Sequence, residues 1–517
     1  MMRTQCRLAT VNSPLKRCLP KPTCLDSIGK ANTGFAALAV VWLLAVGGCS
    51  VNPATGKTDF TPFMGPAQEA RIGAQEHPKM IEEFGGVYDD IELTGYVATI
   101  GGRLAANSEL PDLEFTFTVL NSPVVNAFAM PGGYVYVTRG LIALANSEAE
   151  LAGVLAHEIG HVTGRHSAQR YNWAMATDMG MTILDAWLGG GAASQAAQLG
   201  AHMYLASYSR AQENEADVLG IRYLRRAGYD PYAEADFLRS LSDHSQLLKQ
   251  IYSPDSRERS LDQFFVSHPQ TSDRVLNVIR AAGGVPEAEQ NPRLRDRFLD
   301  QIRDMVYGDS PDDGFIRKQT FSHPELGFTF TVPKGYRITN SPGAVLAKGP
   351  NGAMIIFDAA PQPPRYMGMA DYLVGQWGKG LRLSDVESID INGMEAATGW
   401  TTGKSNGQTV EVRLIAIRFS KGQIFRFQFA TPVQWVTNMA EELQRTTYSF
   451  RKLSAVEKDE LKPLRVRIAR VRDSDSVSSL SAAMAYNDFK EERFRVLNAL
   501  DGNATVTPGA RVKQITE

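Results

Sequence analysis

Apolar and polar positions alternate with different periods along the chain, and the changes of period mark its elements. Over about residues 64–84 and 90–107 apolar residues recur every three to four positions, which predicts two half-buried helices. Residues 113–120 (Leu-Glu-Phe-Thr-Phe-Thr-Val-Leu) switch to period two and predict a strand. A second strand, 125–130, pairs through Pro131-Gly132-Gly133 with a third at 134–138. The helical period returns at 151–162, where Ser147 and Glu150 have the spacing of a capping box. It returns again from Tyr208 to the stop signal Ala227-Gly228-Tyr229-Asp230-Pro231. Between these helices, residues 176–206 are apolar and small but broken by Asp185 and Gly189-Gly190-Gly191; they read as a mobile lid or plug.

After Ser310-Pro311-Asp312-Asp313-Gly314 the pattern changes. Strands at 327–333, 353–357, 410–417 and 424–429, with helices at 370–379 and 436–446, predict a small α+β layer domain without catalytic residues of its own. The last stretch, 460–517, alternates strand and helix patterns. A chain of 517 residues is long enough for about three domains. The division is 64–308, 318–453 and 460–517, with 49–63 a flexible tether. The first 48 residues read as an export signal: a basic leader, an apolar run at 36–46 too short to span a membrane comfortably, and then Val46-Gly47-Gly48-Cys49. That end resembles a bacterial lipobox, in which Cys49 is acylated. The other cysteines, Cys6, Cys18 and Cys24, all lie in the leader, so the body has neither a disulfide nor a cysteine metal ligand. The net charge of −2, with no basic stripe, gives no reason to expect a nucleic-acid partner.

One segment carries chemistry. His157-Glu158-Ile159-Gly160-His161 is an H-E-x-x-H motif on the helix at 151–162. The two histidines lie one turn apart on one face and can share a Zn²⁺, and Glu158 stands close enough to take a proton from zinc-bound water. Such sites need a third protein ligand. Glu213 and Asp217, four apart on the next helix, fit a carboxylate ligand backed by a carboxylate that holds a histidine; on spacing alone they fit a solvated acidic face equally well. His166 and His202 read as packing or supporting residues.

The motifs at 126–133 (Asn-Ala-Phe-Ala-Met-Pro-Gly-Gly), 148–161, 209–217 (Ser-Arg-Ala-Gln-Glu-Asn-Glu-Ala-Asp) and 267–274 (Ser-His-Pro-Gln-Thr-Ser-Asp-Arg) resemble, in order and spacing, the gluzincin metallopeptidases of the HtpX, CAAX prenyl protease and BepA type. The resemblance covers roughly residues 60–285. It implies a mainly helical zincin-type domain with a small edge-strand sheet and one zinc ion per chain. His157, His161 and Glu213 would be ligands, Glu158 the base and Asp217 their support. Asn126, Ala127, Phe128 and Ala129 would form an exposed edge that aligns an extended substrate by main-chain hydrogen bonds. His268 would stand close to the metal, either as a latch on its open position or as an oxyanion donor. The domain at 318–453 resembles the PsbP-like group. Residues 460–517 resemble a LysM βααβ module, although Asp473-Ser474-Asp475 replaces the usual Gly-Asp-Thr, so peptidoglycan binding and a purely structural copy both stay open.

The expected whole is an α+β multidomain zinc endopeptidase, lipid-anchored on the periplasmic side of a bacterial membrane, most simply the outer one. Its substrates would be misfolded or unassembled envelope proteins. Two alternatives from other classes are a chaperone-like binder of extended chains and an envelope tether acting through its C-terminal modules.

Overall fold

The computed structural model describes residues 49–517 except 53, 61–63, 171–206, 252–267, 269–272, 284–292, 342, 361–365, 406–407 and 487. The export signal, the stretch at 176–206 and His202 therefore lie outside the described residues. Among the described residues no helix is long and apolar enough to cross a membrane.

The chain enters through a hairpin, β1 (Cys49–Val51) against β2 (Thr58–Phe60), where the sequence predicts a flexible tether. Its turn is pinned to the body. Asn52, fully buried, donates from Nδ2 to the Gly164 carbonyl at 2.8 Å, and Lys57 pairs with Glu215 at 2.8 Å. Composition with Pro and Gly suggested flexibility, but long-range hydrogen bonds to the body override it.

The predicted helices form at Pro66–Glu83 and Ile91–Ala105. A three-stranded sheet follows in the order β3 (Thr116–Leu120), β5 (Tyr134–Thr138), β4 (Ala127–Met130). β3 runs parallel to β5, and β4 returns antiparallel to it, with Met130 opposite Tyr134. Gly132 and Gly133 make the predicted turn with φ of 83° and 89°. A Cβ on Gly133 would sit 2.6 Å from the Glu114 carbonyl, so only glycine fits there. The helices Glu148–Thr163, Arg210–Arg226 and Ala233–Ile251 pack behind this sheet in one core.

The domain after residue 314 is more elaborate than its sequence pattern. It holds a seven-stranded antiparallel sheet in the order Arg337–Ser341, Ala344–Lys348, Met354–Ala359, Gln423–Pro432, Gln408–Ser420, Met394–Ser405, Ser384–Ile391. A four-stranded sheet packs beside it, and Phe328, Phe330, Phe357, Phe425, Phe427 and Phe450 fill the space between. The predicted α+β class holds; strands rich in polar residues, such as Ser384–Ile391, are the ones that periodicity misses, because most of their side chains are exposed.

The final stretch forms strand Leu464–Arg470, helices Val477–Ala482 and Lys490–Leu497, and strand Arg511–Thr516, a β-α-α-β unit. It is not a separate body. Its first strand pairs with Val306–Tyr307, and Val466, Leu480, Phe494, Val512 and Ile515 belong to the same core as the metal helix. The domain at 315–452 is therefore an insertion between two parts of one folded unit.

Lys513 fastens that union. Its fully buried Nζ donates to the carbonyls of Ala143, Leu144 and Ala145 at 2.8, 3.1 and 2.6 Å, at the end of the helix Arg139–Leu144. Burial pushes the Lys513 ammonium well below its ordinary pKa, and nearby Glu150 offsets part of that cost. Lys513→Met keeps the apolar stem but strands three buried acceptors, at about 1 kcal/mol or more each. We expect the melting midpoint of the full chain to fall by roughly 4 °C. An unchanged midpoint in calorimetry would show that the closing module contributes nothing to the stability of the metal-site body.

Candidate metal centre

The metal helix begins where the sequence predicts. Ser147 accepts from the Glu150 N–H at 3.2 Å. Glu150 closes the cap one residue further back than a capping box does, accepting from the Asn146 N–H at 2.8 Å. Every residue from Glu148 to Thr163 is buried, so this helix is the centre of the core rather than an amphipathic surface helix. The carboxylate helix Arg210–Arg226 starts with a complete capping box between Ser209 and Gln212, a Ser-x-x-Gln signal that the sequence reading passed over. The two helices cross at glycines. A Cβ on Gly160 would come within 2.9 Å of the Ala216 carbonyl, and one on Gly220 within 3.1 Å of the His157 nitrogen. This close approach brings Glu213 to the histidines.

Four donors converge. The Nε2 atoms of His157 and His161 are 3.0 Å apart. Glu213 lies 3.6 Å from His157 Nε2 and 3.3 Å from His161 Nε2. His268 Nδ1 stands 3.3 Å from His157 Nε2 and 3.0 Å from Glu213 Oε1. All four donors lie within 4.8 Å of one another and all are buried. Donors about 2.0–2.2 Å from one shared cation stand roughly 3.3–3.6 Å apart.

The surrounding hydrogen bonds explain why a cation belongs there. His157 Nδ1 lies 2.9 Å from Asp217 Oδ1, so its proton sits on that side and Nε2 presents a lone pair. His166 lies between His161 and Glu215, 2.8 Å from His161 Nδ1 and 3.1 Å from Glu215 Oε2. With His166 donating to Glu215, its Nδ1 accepts from His161, and His161 Nε2 is also left as a lone pair. Two buried lone pairs 3.0 Å apart beside a carboxylate repel unless a positive charge lies among them. The donor set of two imidazoles and a carboxylate fits a divalent metal of the zinc type.

Arg274 anchors the acidic side, 2.6 Å from Asp217 and 2.9 Å from Glu213. Burial would raise the Asp217 carboxyl, but the Arg274 charge and the His157 contact bring it down to about 2. Burial opposes ionisation of Glu213 too, and His268 and His161 beside it hold it well below the usual carboxylate range. Glu158 goes the other way: burial raises its pKa, only partly countered by His268 and His157. Among the described residues neither Glu158 oxygen makes a hydrogen bond, and Oε1 lies 3.4 Å from His268 Nε2. A fully buried carboxyl left without hydrogen bonds is costly and points to a chemical task rather than a structural one.

Residues 92–281 match the model of peptidase family M48. This stretch is similar to an M48 peptidase domain and is called the M48 domain below. Among characterised relatives, the beta-barrel assembly-enhancing protease of Yersinia pestis is 34% identical over 240 residues, 41% of this chain and 48% of that protein. The mitochondrial metalloendopeptidase OMA1 of Schizosaccharomyces pombe is 30% identical over 236 residues, 44% of this chain and 65% of that protein. The chain thus spans about half the length of the first of these relatives. Among solved structures, cyanobacterial PsbP from Synechocystis aligns with 28% of this chain and 98% of its own at 16% identity and a TM-score of 0.22.

The M48 domain brings together His157, Glu158, His161, Glu213, Asp217 and His268, every residue that the sequence assigns to the metal centre. The edge strand differs from expectation. β4 is an edge by pairing, yet Asn126, Ala127, Phe128 and Ala129 are all buried. Ala127 and Ala129 face the core that holds the metal helix, while Phe128 stacks on Tyr136 and packs on Phe84. Both side-chain faces are covered by the domain itself, so only the main chain of β4 is left for a partner. Cys49 lies in β1, opposite Phe60.

Two contributors escaped the sequence. Tyr208 is buried with its ring stacked 3.8 Å from that of His161, and its hydroxyl bonds Ser167 at 3.0 Å. Glu234 lies 3.8 Å from His157 Nδ1, and burial beside Asp217 pushes its carboxyl well up. Neither stands at a motif spacing, so only the packing of the helices reveals them.

Removal of the groups behind the ligands should weaken metal binding without abolishing it. Asp217→Asn and His166→Ala should each lower metal affinity about 10–100-fold in a chelator competition, whereas Glu213→Ala should lose the metal outright. Wild-type affinity in both supporting variants would mean that the tautomers assigned here are not what holds the site.

Proposed function

We propose that the chain is a zinc-dependent endopeptidase of the bacterial cell envelope that hydrolyses peptide bonds in misfolded or unassembled proteins there. The observation that carries this reading is the buried cage of His157, His161 and Glu213 with the unbonded carboxyl of Glu158 at its side. The name of the Yersinia relative, which refers to β-barrel assembly, supports envelope proteins as the substrates.

His157, His161 and Glu213 would hold the zinc, which when bound supplies a Lewis acid and draws the pKa of water towards about 7. The chain's own groups do the remaining work. Glu158, its proton affinity raised by burial, takes a proton from the attacking water and delivers it to the leaving amine. Asp217 and Arg274 keep His157 and Glu213 in place. The substrate lies extended along the main chain of β4, whose buried side chains hold that edge rigid. A chaperone-like role would leave Glu158 without a task.

His268 serves as a latch in this reading. Its Nδ1 completes the donor cluster, close to both Glu213 and His157, where it would keep water from the fourth position. The body would be anchored by acylated Cys49 on the periplasmic side of the outer membrane. The pinned hairpin that follows would then hold the M48 domain at the membrane surface rather than on a loose tether. The domain at 318–453 is a PsbP-like scaffold in this reading. The LysM-like unit at 460–517 is a structural copy, since its apolar face lies in the common core, and peptidoglycan binding is secondary.

Glu158→Gln should bind zinc as the wild type does and lose casein cleavage; wild-type cleavage by this variant would remove the catalytic assignment. His268→Ala should raise basal proteolysis and self-cleavage. A fall in turnover of about 10²-fold would make His268 an oxyanion donor instead, and unchanged activity on a full-length unfolded substrate would leave it with neither role.

A further inference from the structure

A cleft of about 1380 Å³ lies between the M48 domain, the inserted domain and the closing module. It is larger than the roughly 300–1,000 Å³ typical of small-molecule pockets. One wall is Pro123-Val124-Val125, the residues that lead directly into Asn126 and β4. Ile316, Tyr336 and Ile338 of the inserted domain form a second wall, and Tyr486 and Val496 of the closing module a third.

The polar groups in this cleft are of one kind. The terminal Nη2 of Arg139, the Tyr336 hydroxyl and the Arg493 Nε are buried and make no hydrogen bond among the described residues. Arg139 is held rigid by its other nitrogens, Nε donating to Asn121 Oδ1 at 2.8 Å and Nη1 to the Val306 carbonyl at 3.3 Å. Buried donors without partners are rare, and three in one cleft point to an acceptor-bearing occupant. That occupant is not a polyanion, since Glu82, Glu83, Asp309 and Asp313 line the cleft alongside its basic residues. Apolar walls, spaced neutral-acceptor sites and mixed charge together match an extended polypeptide: carbonyls to the donors, side chains to the walls.

We propose that this cleft binds the stretch of unfolded substrate that continues beyond the segment aligned on β4, so that the inserted domain and the closing module select long, extended chains over short peptides. The proposal rests on the peptidase reading above and adds a second contact region. Pro123, Val124 and Val125 line the cleft and lead straight into Asn126, so a chain that continues past the Asn126 end of β4 is brought to the cleft wall. The occupant is the substrate rather than a small ligand because the cleft is continuous with that strand and too large for one compact molecule.

The full-length protein is the material for the test. Leu248→Glu and Val496→Glu place charge on half-buried positions of the cleft wall, away from the metal cage. Each should raise KM for unfolded casein about tenfold, the scale of one lost apolar side-chain contact, with kcat unchanged. Cleavage of a short fluorogenic peptide should stay at the wild-type rate. In parallel, a photo-crosslinking residue at Gln319, on the cleft, in the Glu158→Gln protein should trap casein, and one at Glu441, exposed on the helix Val436–Ser449, should not. Unchanged KM for casein, or crosslinks from Gln319 only to the enzyme's own chain, would overturn the proposal. If the wild type cleaves neither substrate, the peptidase reading fails and the crosslink alone decides the cleft.

Discussion

Two imidazoles whose Nε2 atoms face each other at 3.0 Å, beside a buried carboxylate, define the constraint on which this molecule is built. Such an arrangement is repulsive by itself. It persists only if each ring is held from behind and a cation is held in front. Asp217 with Arg274 braces His157, and His166 with Glu215 braces His161. The second brace runs on through Lys57 to the N-terminal hairpin, so the entry of the chain and the metal cage share one line of hydrogen bonds.

Bracing at this depth requires a body that does not move, and the fold supplies it in an indirect way. The metal helix is buried on every side. Part of its cover comes from residues after 460, which return from a long excursion to pair with Val306–Tyr307 and to seat Lys513 on the carbonyls just ahead of that helix. An interrupted body of this kind lets the inserted sheet domain be held at both ends. Its two ends are thereby fixed to the same core that sets the cage.

The sequence alone brought forward the residues of the candidate centre. His157, Glu158 and His161 follow from helical spacing, because ligands on one helix must recur with its period. Glu213, Asp217 and His268 needed the further likeness of whole motifs to a known family. Strand and turn at 125–138 were legible because alternation and a Pro-Gly-Gly turn are local signals. The class of the inserted domain was legible as well, though not its polar strands, whose exposed faces carry no hydrophobic period.

Tertiary structure decided what depends on partners distant in sequence. The tether became a pinned hairpin because Asn52 reaches Gly164 and Lys57 reaches Glu215, contacts across more than a hundred residues. The predicted exposed edge became a strand with both faces covered, since burial is set by what packs on a strand and not by its own pattern. The separate C-terminal module became part of the core around the metal helix for the same reason. Tyr208 and Glu234 entered the site because helix crossings brought them there. Local periodicity encodes which face of an element is apolar; only the assembled core determines which other element that face meets.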